Sequence, residues 1–204
     1  MNIEELKVKA ENIVENIKDK GIYLKENTFI DYKLELKLNP NVGNVLIFLR
    51  NFAKDILAFA NKDGGLLLLG FNENKETGEI TDIGLKEDDI NILRAIDLKD
   101  LSDQFVKMFD AQIIVDIHAF NIATRKFYYI LIEKHNSILI PKNDFLDYGL
   151  KKGDIIYRSA GNNLKANERT SEFNTFIEAK VNEKNKEFMQ IWSNLLPEVF
   201  DINP

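Results

Sequence analysis

Apolar residues recur along the chain with two distinct periods, and the switches between them mark out the elements. Residues 3–19 carry Ile3, Leu6, Ala10, Ile13, Val14 and Ile17 at helical spacing, with Gly21 as the stop. From 28 to 38 the period becomes two. Ile30, Tyr32, Leu34, Leu36 and Leu38 share one face, and Asp31, Lys33, Glu35 and Lys37 share the other. That alternation predicts a half-buried strand with a charged, solvated outer face, ended by Asn39-Pro40-Asn41. A helix follows, capped by Asn44 and running to about Ala60, with Phe48, Phe52, Ile56 and Phe59 on its buried stripe. Lys62-Asp63-Gly64-Gly65 reads as a turn, and LLLLGF (66–71) as a strand buried on both faces.

Beyond it, Asn72–Gly78 forms a polar hairpin loop returning at Glu79-Ile80. Two short helices are predicted near 87–96 and 98–109, then strands at 112–119, 127–133 and 153–159. From Ser171 the period is helical again, through Phe173, Ile177, Val181, Phe188, Trp192 and Leu195 to a stop at Pro197. This apolar face is expected to stabilise the chain or an oligomer. The order is that of an α+β fold: a mixed or antiparallel sheet with packed helices and a long C-terminal helix. The implied division is an N-terminal helix at 1–24, a domain at 25–170 and a helical extension at 171–204.

Composition narrows the chemistry. The chain has 204 residues, 45% of them hydrophobic, and no cysteine, which excludes disulfides and thiolate metal sites. No apolar run approaches the roughly 18–20 residues of a membrane span, and the charged N-terminus is unlike a signal peptide. A cytoplasmic protein is the expectation. The formal charge is −6, all of it contributed by Phe71–Asp110, where eleven acidic residues face five basic ones. Proteins that coat duplex DNA show a basic excess, so any nucleic-acid contact here must be local. His118 and His135 stand alone, without metal-ligand spacing, and no phosphate-cradling glycine motif is present.

Three segments together resemble the Schlafen-type Alba-like domain, over about 25–170. Leu34-Glu35-Leu36-Lys37 is similar to a strand ending in Glu-hydrophobic-Lys. The run Ala58-Phe59-Ala60-Asn61, then Gly64-Gly65, four leucines and Gly70, is similar to that family's helix-to-strand element. Ile156-Tyr157-Arg158-Ser159-Ala160-Gly161 is similar to its Tyr-x-Arg-x-Gly turn, with Arg158 and Gly161 one position further apart, which implies an insertion in that loop. The resemblance implies binding of RNA or DNA, in bacterial defence or regulation, without catalysis. Relatives of this kind are often labelled ATP-binding, a property for which these residues supply no mechanism.

The alternative it implies is a metal-dependent endoribonuclease using Mg²⁺ or Mn²⁺ held by Glu35 and Glu73. The first acid of that family's trio falls on Ile30, and Asp31 lies about 13 Å along the strand from Glu35, too far to share an ion. A third alternative is an interaction subunit docked, as a homo-oligomer or on a partner protein, through its C-terminal helix. The segment 137–170 is net positive, and Arg158, Lys152, Lys165, Asn162 and Asn163, with Lys37, are the candidate phosphate ligands, with Lys151 and Arg169 nearby. Asn61, Gly64, Gly65 and Gly70 are expected to serve the turn and not a ligand.

Overall fold

The N-terminal eighteen residues of regular structure form helix α1, Ile3–Lys20, because both ends are chemically closed. Asn2 and Glu5 make a reciprocal capping box, and Gly21 ends the helix in the left-handed region at φ 61°. The computed structural model describes residues 2–39, 41–168 and 170–199. Pro40 and Arg169, which the sequence reading invokes, lie outside the described residues, as does the side chain of Leu195.

A four-stranded mixed sheet sits at the centre, in the order β1 (Ile30–Lys33), β2 (Gly65–Leu69), β6 (Arg125–Ile132), β5 (Val115–Ile122). Strand β1 runs parallel to β2, and helix α2 (Asn44–Asn61) makes the crossover; β6 is antiparallel to both β2 and β5. One face packs Leu66, Leu68, Tyr129 and Leu131 against α1. The other packs Leu67, Leu69, Ile130 and Ile132 against α2 and the helices α3 (Glu87–Arg94) and α4 (Leu98–Phe109). Strand β2 therefore lies between two helical layers, which is why its apolar run does not alternate. Two hairpins complete the architecture: β3 (Phe71–Glu73) with β4 (Ile80–Asp82), and β7 (Ile156–Ser159) with β8 (Asn162–Lys165). The chain divides into two compact units, Met1–Lys165 and Ala166–Pro204. The second consists largely of α5 (Thr170–Val199), which continues past Pro197 and exposes Phe188, Met189, Ile191 and Trp192. Among the described residues no helix is long and apolar enough to cross a membrane.

Three local expectations change. The alternating segment yields only four residues of strand, and its polar face is not solvated: Asp31 is 3% exposed. Beyond Lys33 the chain leaves the sheet, so Leu34 and Leu38 face water while Leu36 enters the α2 core. Asn44 does not cap α2. The cap is Gly43, whose carbonyl accepts the first helical bonds from Leu46 and Ile47. The loop after Arg158 is no longer than a two-residue turn, Ala160 and Gly161 at φ 43° and 83°, between β7 and β8.

The α2–β2 corner is held by close approach. Asn61 is fully buried and clamps two distant segments: its Nδ2 donates to the carbonyls of Leu139 (3.0 Å) and Ile156 (2.8 Å), and its Oδ1 accepts from the N–H of Leu139 (2.7 Å). Gly64 lies at φ 77°, and a Cβ there would stand 2.7 Å from the Ile132 carbonyl oxygen. A Cβ on Gly65 would enter the Phe59 ring. Gly64→Ala and Gly65→Ala are each expected to lower stability by about 1–3 kcal/mol, read as a fall of several degrees in thermal unfolding. An unchanged melting temperature in either variant would contradict this packing.

Candidate functional site

Strand β1 is an edge strand, and its outward backbone groups need partners other than another strand. Those partners build the candidate site. Asn27 donates its N–H to the Ile30 carbonyl (3.2 Å), and the Tyr32 N–H donates to Glu26 Oε1 (3.0 Å). Arg158, from β7, reaches across: Nη2 donates to the Ile30 carbonyl (3.3 Å) and to Asp31 Oδ1 (2.9 Å), and Nε to the Asn27 carbonyl (3.3 Å). Its guanidinium also lies 4.9 Å from the centre of the Phe59 ring.

From this edge a chain of alternating charge runs across the floor of a cleft. Asp31 Oδ2 lies 2.6 Å from Lys33 Nζ, and Lys33 Nζ lies 3.4 Å from Asp55 Oδ2. Asn163 links the two ends, accepting from Arg158 Nη1 (3.1 Å) and donating to Asp55 Oδ1. Two carboxylates and two cations thus sum to zero. Burial drives the Asp31 carboxyl upward, but Lys33 and then Arg158 outweigh it and hold it below the usual range. Asp55 is raised, chiefly by burial, against the opposing pull of Lys33. Lys33 loses proton affinity through burial and more than regains it from Asp55 and Asp31.

The cleft above this floor has a volume of about 640 Å³ and is lined additionally by Glu26, Tyr32, Lys54, Asn72, Glu73, Lys75 and Asn162. Glu26 is pushed up to about 7, first by burial and then by the neighbouring Asp31 and Glu73 charges. Its carboxyl hydrogen-bonds Asp31, and in the neutral form it is the donor. Lys54 and Lys75 make no ion pair among the described residues.

The structure separates the residues expected from sequence. Arg158, Asn162 and Asn163 line the cleft, but Arg158 is 2% exposed and committed to Asp31 and backbone carbonyls, so it is a buried brace and not a phosphate ligand. Lys165 lies outside the cleft, 2.8 Å from Asp154, and Lys152 and Lys37 are exposed elsewhere. Glu73 lines the cleft and Glu35 does not; Glu35 accepts a hydrogen bond from Lys86 at the surface. Glu35 and Glu73 therefore do not form a shared site. Among the described residues no three carboxylate or imidazole groups converge to hold a metal ion. Of the four acids that line the cleft, Asp31 and Asp55 have oxygens engaged by Lys33, Arg158 and Asn163, while Glu26 accepts from the Tyr32 N–H.

Sequence reasoning missed Glu26, Lys54, Asp55 and Lys75. Only Asp55 carries a signal, as the one acid of an apolar helix, beside Phe52, Ile56 and Phe59.

Residues 26–167 match the family model described as Schlafen, AlbA_2. Among solved structures, the chain is similar to the DIP2311 protein from Corynebacterium diphtheriae, at 17% identity and a TM-score of 0.45, over 79% of this chain and 30% of that one. It is also similar to the N-terminal domain of a RecG-related ATP-dependent DNA helicase protein from Nitrosomonas europaea, at 19% identity and a TM-score of 0.40, over 75% of this chain and 89% of that one. The chain thus spans less than a third of the length of the Corynebacterium protein. No curated protein matches.

Two outcomes follow from the cleft's energetics. Arg158→Ala leaves Asp31 buried without its partner and should cost about 3–5 kcal/mol in chemical denaturation, with partial recovery in Asp31→Asn/Arg158→Met. Equal stability of the single variant and wild type would contradict the brace. Glu26, raised from an ordinary 4.5 to about 7, takes up a proton on folding between those values. Its contribution is complete below about pH 4.5 and is lost as the pH rises toward 7. The stability advantage of Glu26→Gln over wild type should therefore grow from pH 5 to pH 8; a constant difference would exclude the assignment.

Proposed function

The chain belongs to the Schlafen, AlbA_2 family, and from that premise we propose that it binds nucleic acid through backbone phosphates at the β1–β7 cleft, without cutting it. The observation that carries this reading is the separation of charge in the cleft. Its floor is neutralised from within by Lys33 and Arg158, while Lys54 and Lys75 stand unpaired beside the amides of Asn72 and Asn162. Lysine and amide donors bind phosphate oxygens without reading base edges, so position is fixed and sequence is not. With few cations on a protein of net charge −6, binding is weak and salt-sensitive.

The test is incubation of labelled tRNA and duplex DNA with the protein, with and without Mn²⁺, read for both mobility shift and cleavage. The expected result is a shift in the micromolar range that fades above physiological salt, with both nucleic acids intact. Lys54→Glu/Lys75→Glu should weaken both by about tenfold and reduce the log–log salt slope by roughly 0.7–0.9 per lost contact. Unchanged affinity in that variant would remove the cleft from the interface. Mn²⁺-dependent cleavage abolished by Glu73→Gln would replace binding with nuclease activity.

A further inference from the structure

Glu26 has no cation paired with it among the described residues, and its carboxyl hydrogen-bonds another acid, Asp31. Asp31 has Lys33 and Arg158, and Asp55 has Lys33. The groups facing Glu26 are Asp31 and the Tyr32 N–H from β1, and Glu73 from β3; the β7–β8 turn approaches it with the backbone of Gly161. These titratable neighbours, together with the Tyr32 phenol, are all acids. Ionising Glu26 therefore breaks its donor bond to Asp31 and places a net negative charge in the same cleft as Lys54 and Lys75.

We propose that Glu26 is a proton-controlled switch on anion binding. Neutral, it donates to Asp31 and leaves the cleft able to take a phosphate of a nucleic-acid backbone; ionised, it repels that phosphate. This rests on the reading that the cleft is where phosphate binds. By linkage, phosphate arriving near Glu26 favours its protonated form, so binding near neutral pH takes up a proton. One added charge within a cleft of this size, at the effective dielectric of a protein surface, changes affinity by about tenfold. The change falls around the pH at which Glu26 titrates, about 7. His118, on β5, and His135, after β6, line no part of the cleft.

The experiment is fluorescence anisotropy with labelled tRNA at constant ionic strength from pH 6 to pH 8. It is accompanied by calorimetric titration at pH 7 in two buffers of different ionisation enthalpy, which counts protons taken up. For the full chain, Kd should rise about tenfold across the range, with net proton uptake at pH 7. Glu26→Gln should hold the tighter value at every pH, with uptake abolished. Glu73→Gln, which removes a charge facing Glu26, should move the midpoint to lower pH, and it keeps the test decisive if Glu26→Gln does not fold. Binding that is present but independent of pH, or a slope that survives in Glu26→Gln, overturns the switch and leaves the proposed function standing. No shift at any pH or salt overturns both.

Discussion

Arg158 and Asp31 meet 2.9 Å apart at the open edge of β1, both almost wholly out of water. A buried ion pair is costly to assemble and more costly to break, because removing one partner strands the other's charge. Here the desolvated groups are saturated: the guanidinium also donates to two backbone carbonyls and to Asn163, and Asp31 also holds Lys33. The pair does three things at once. It closes the edge of the sheet, ties the β7–β8 hairpin to β1 across more than a hundred residues of sequence, and fixes the floor of the cleft.

The electrostatics of the cleft follow from that floor. An acid beside two cations stays ionised, while Asp55, with Lys33 as its nearest counter-charge, is raised by burial, and Glu26, with acids as its charged neighbours, is pushed up to about 7. Three carboxyls within one cleft thus respond differently to pH because burial and counter-charges are distributed unequally among them. The same distribution commits Arg158 to the buried floor and leaves Lys54 and Lys75 as lining cations without an ion pair among the described residues. The acidic excess of the chain lies in Phe71–Asp110, a span that contributes Glu73 and Lys75 to the cleft along with Asn72.

Much of the scaffold was legible one residue at a time. The 3.6 period gave α1 and the buried stripe of α2, the unbroken leucines gave a strand covered on both faces, and Gly64-Gly65 gave the corner. These are local properties: a helix face or a two-sided strand must show its pattern wherever it packs. The Schlafen, AlbA_2 family was legible too, through the Asn61–Gly70 segment, whose small residues answer to the Phe59 ring and the Ile132 carbonyl.

The candidate site was not legible in this way. Asp31 and Lys33 lie on what reads as a solvated charged face, and only the arrival of β7 from position 158 and of α2 from position 55 turns that face inward. Glu26 sits in a segment without periodicity, and its proton affinity is set by Asp31 and Glu73, the latter brought in by a separate hairpin. Sequence alone determined the elements, their order and the family, because periodicity and turn chemistry act between near neighbours. Tertiary structure alone decided which charges are neutralised, since Coulomb interactions and desolvation depend on distance and burial in space and not on separation along the chain.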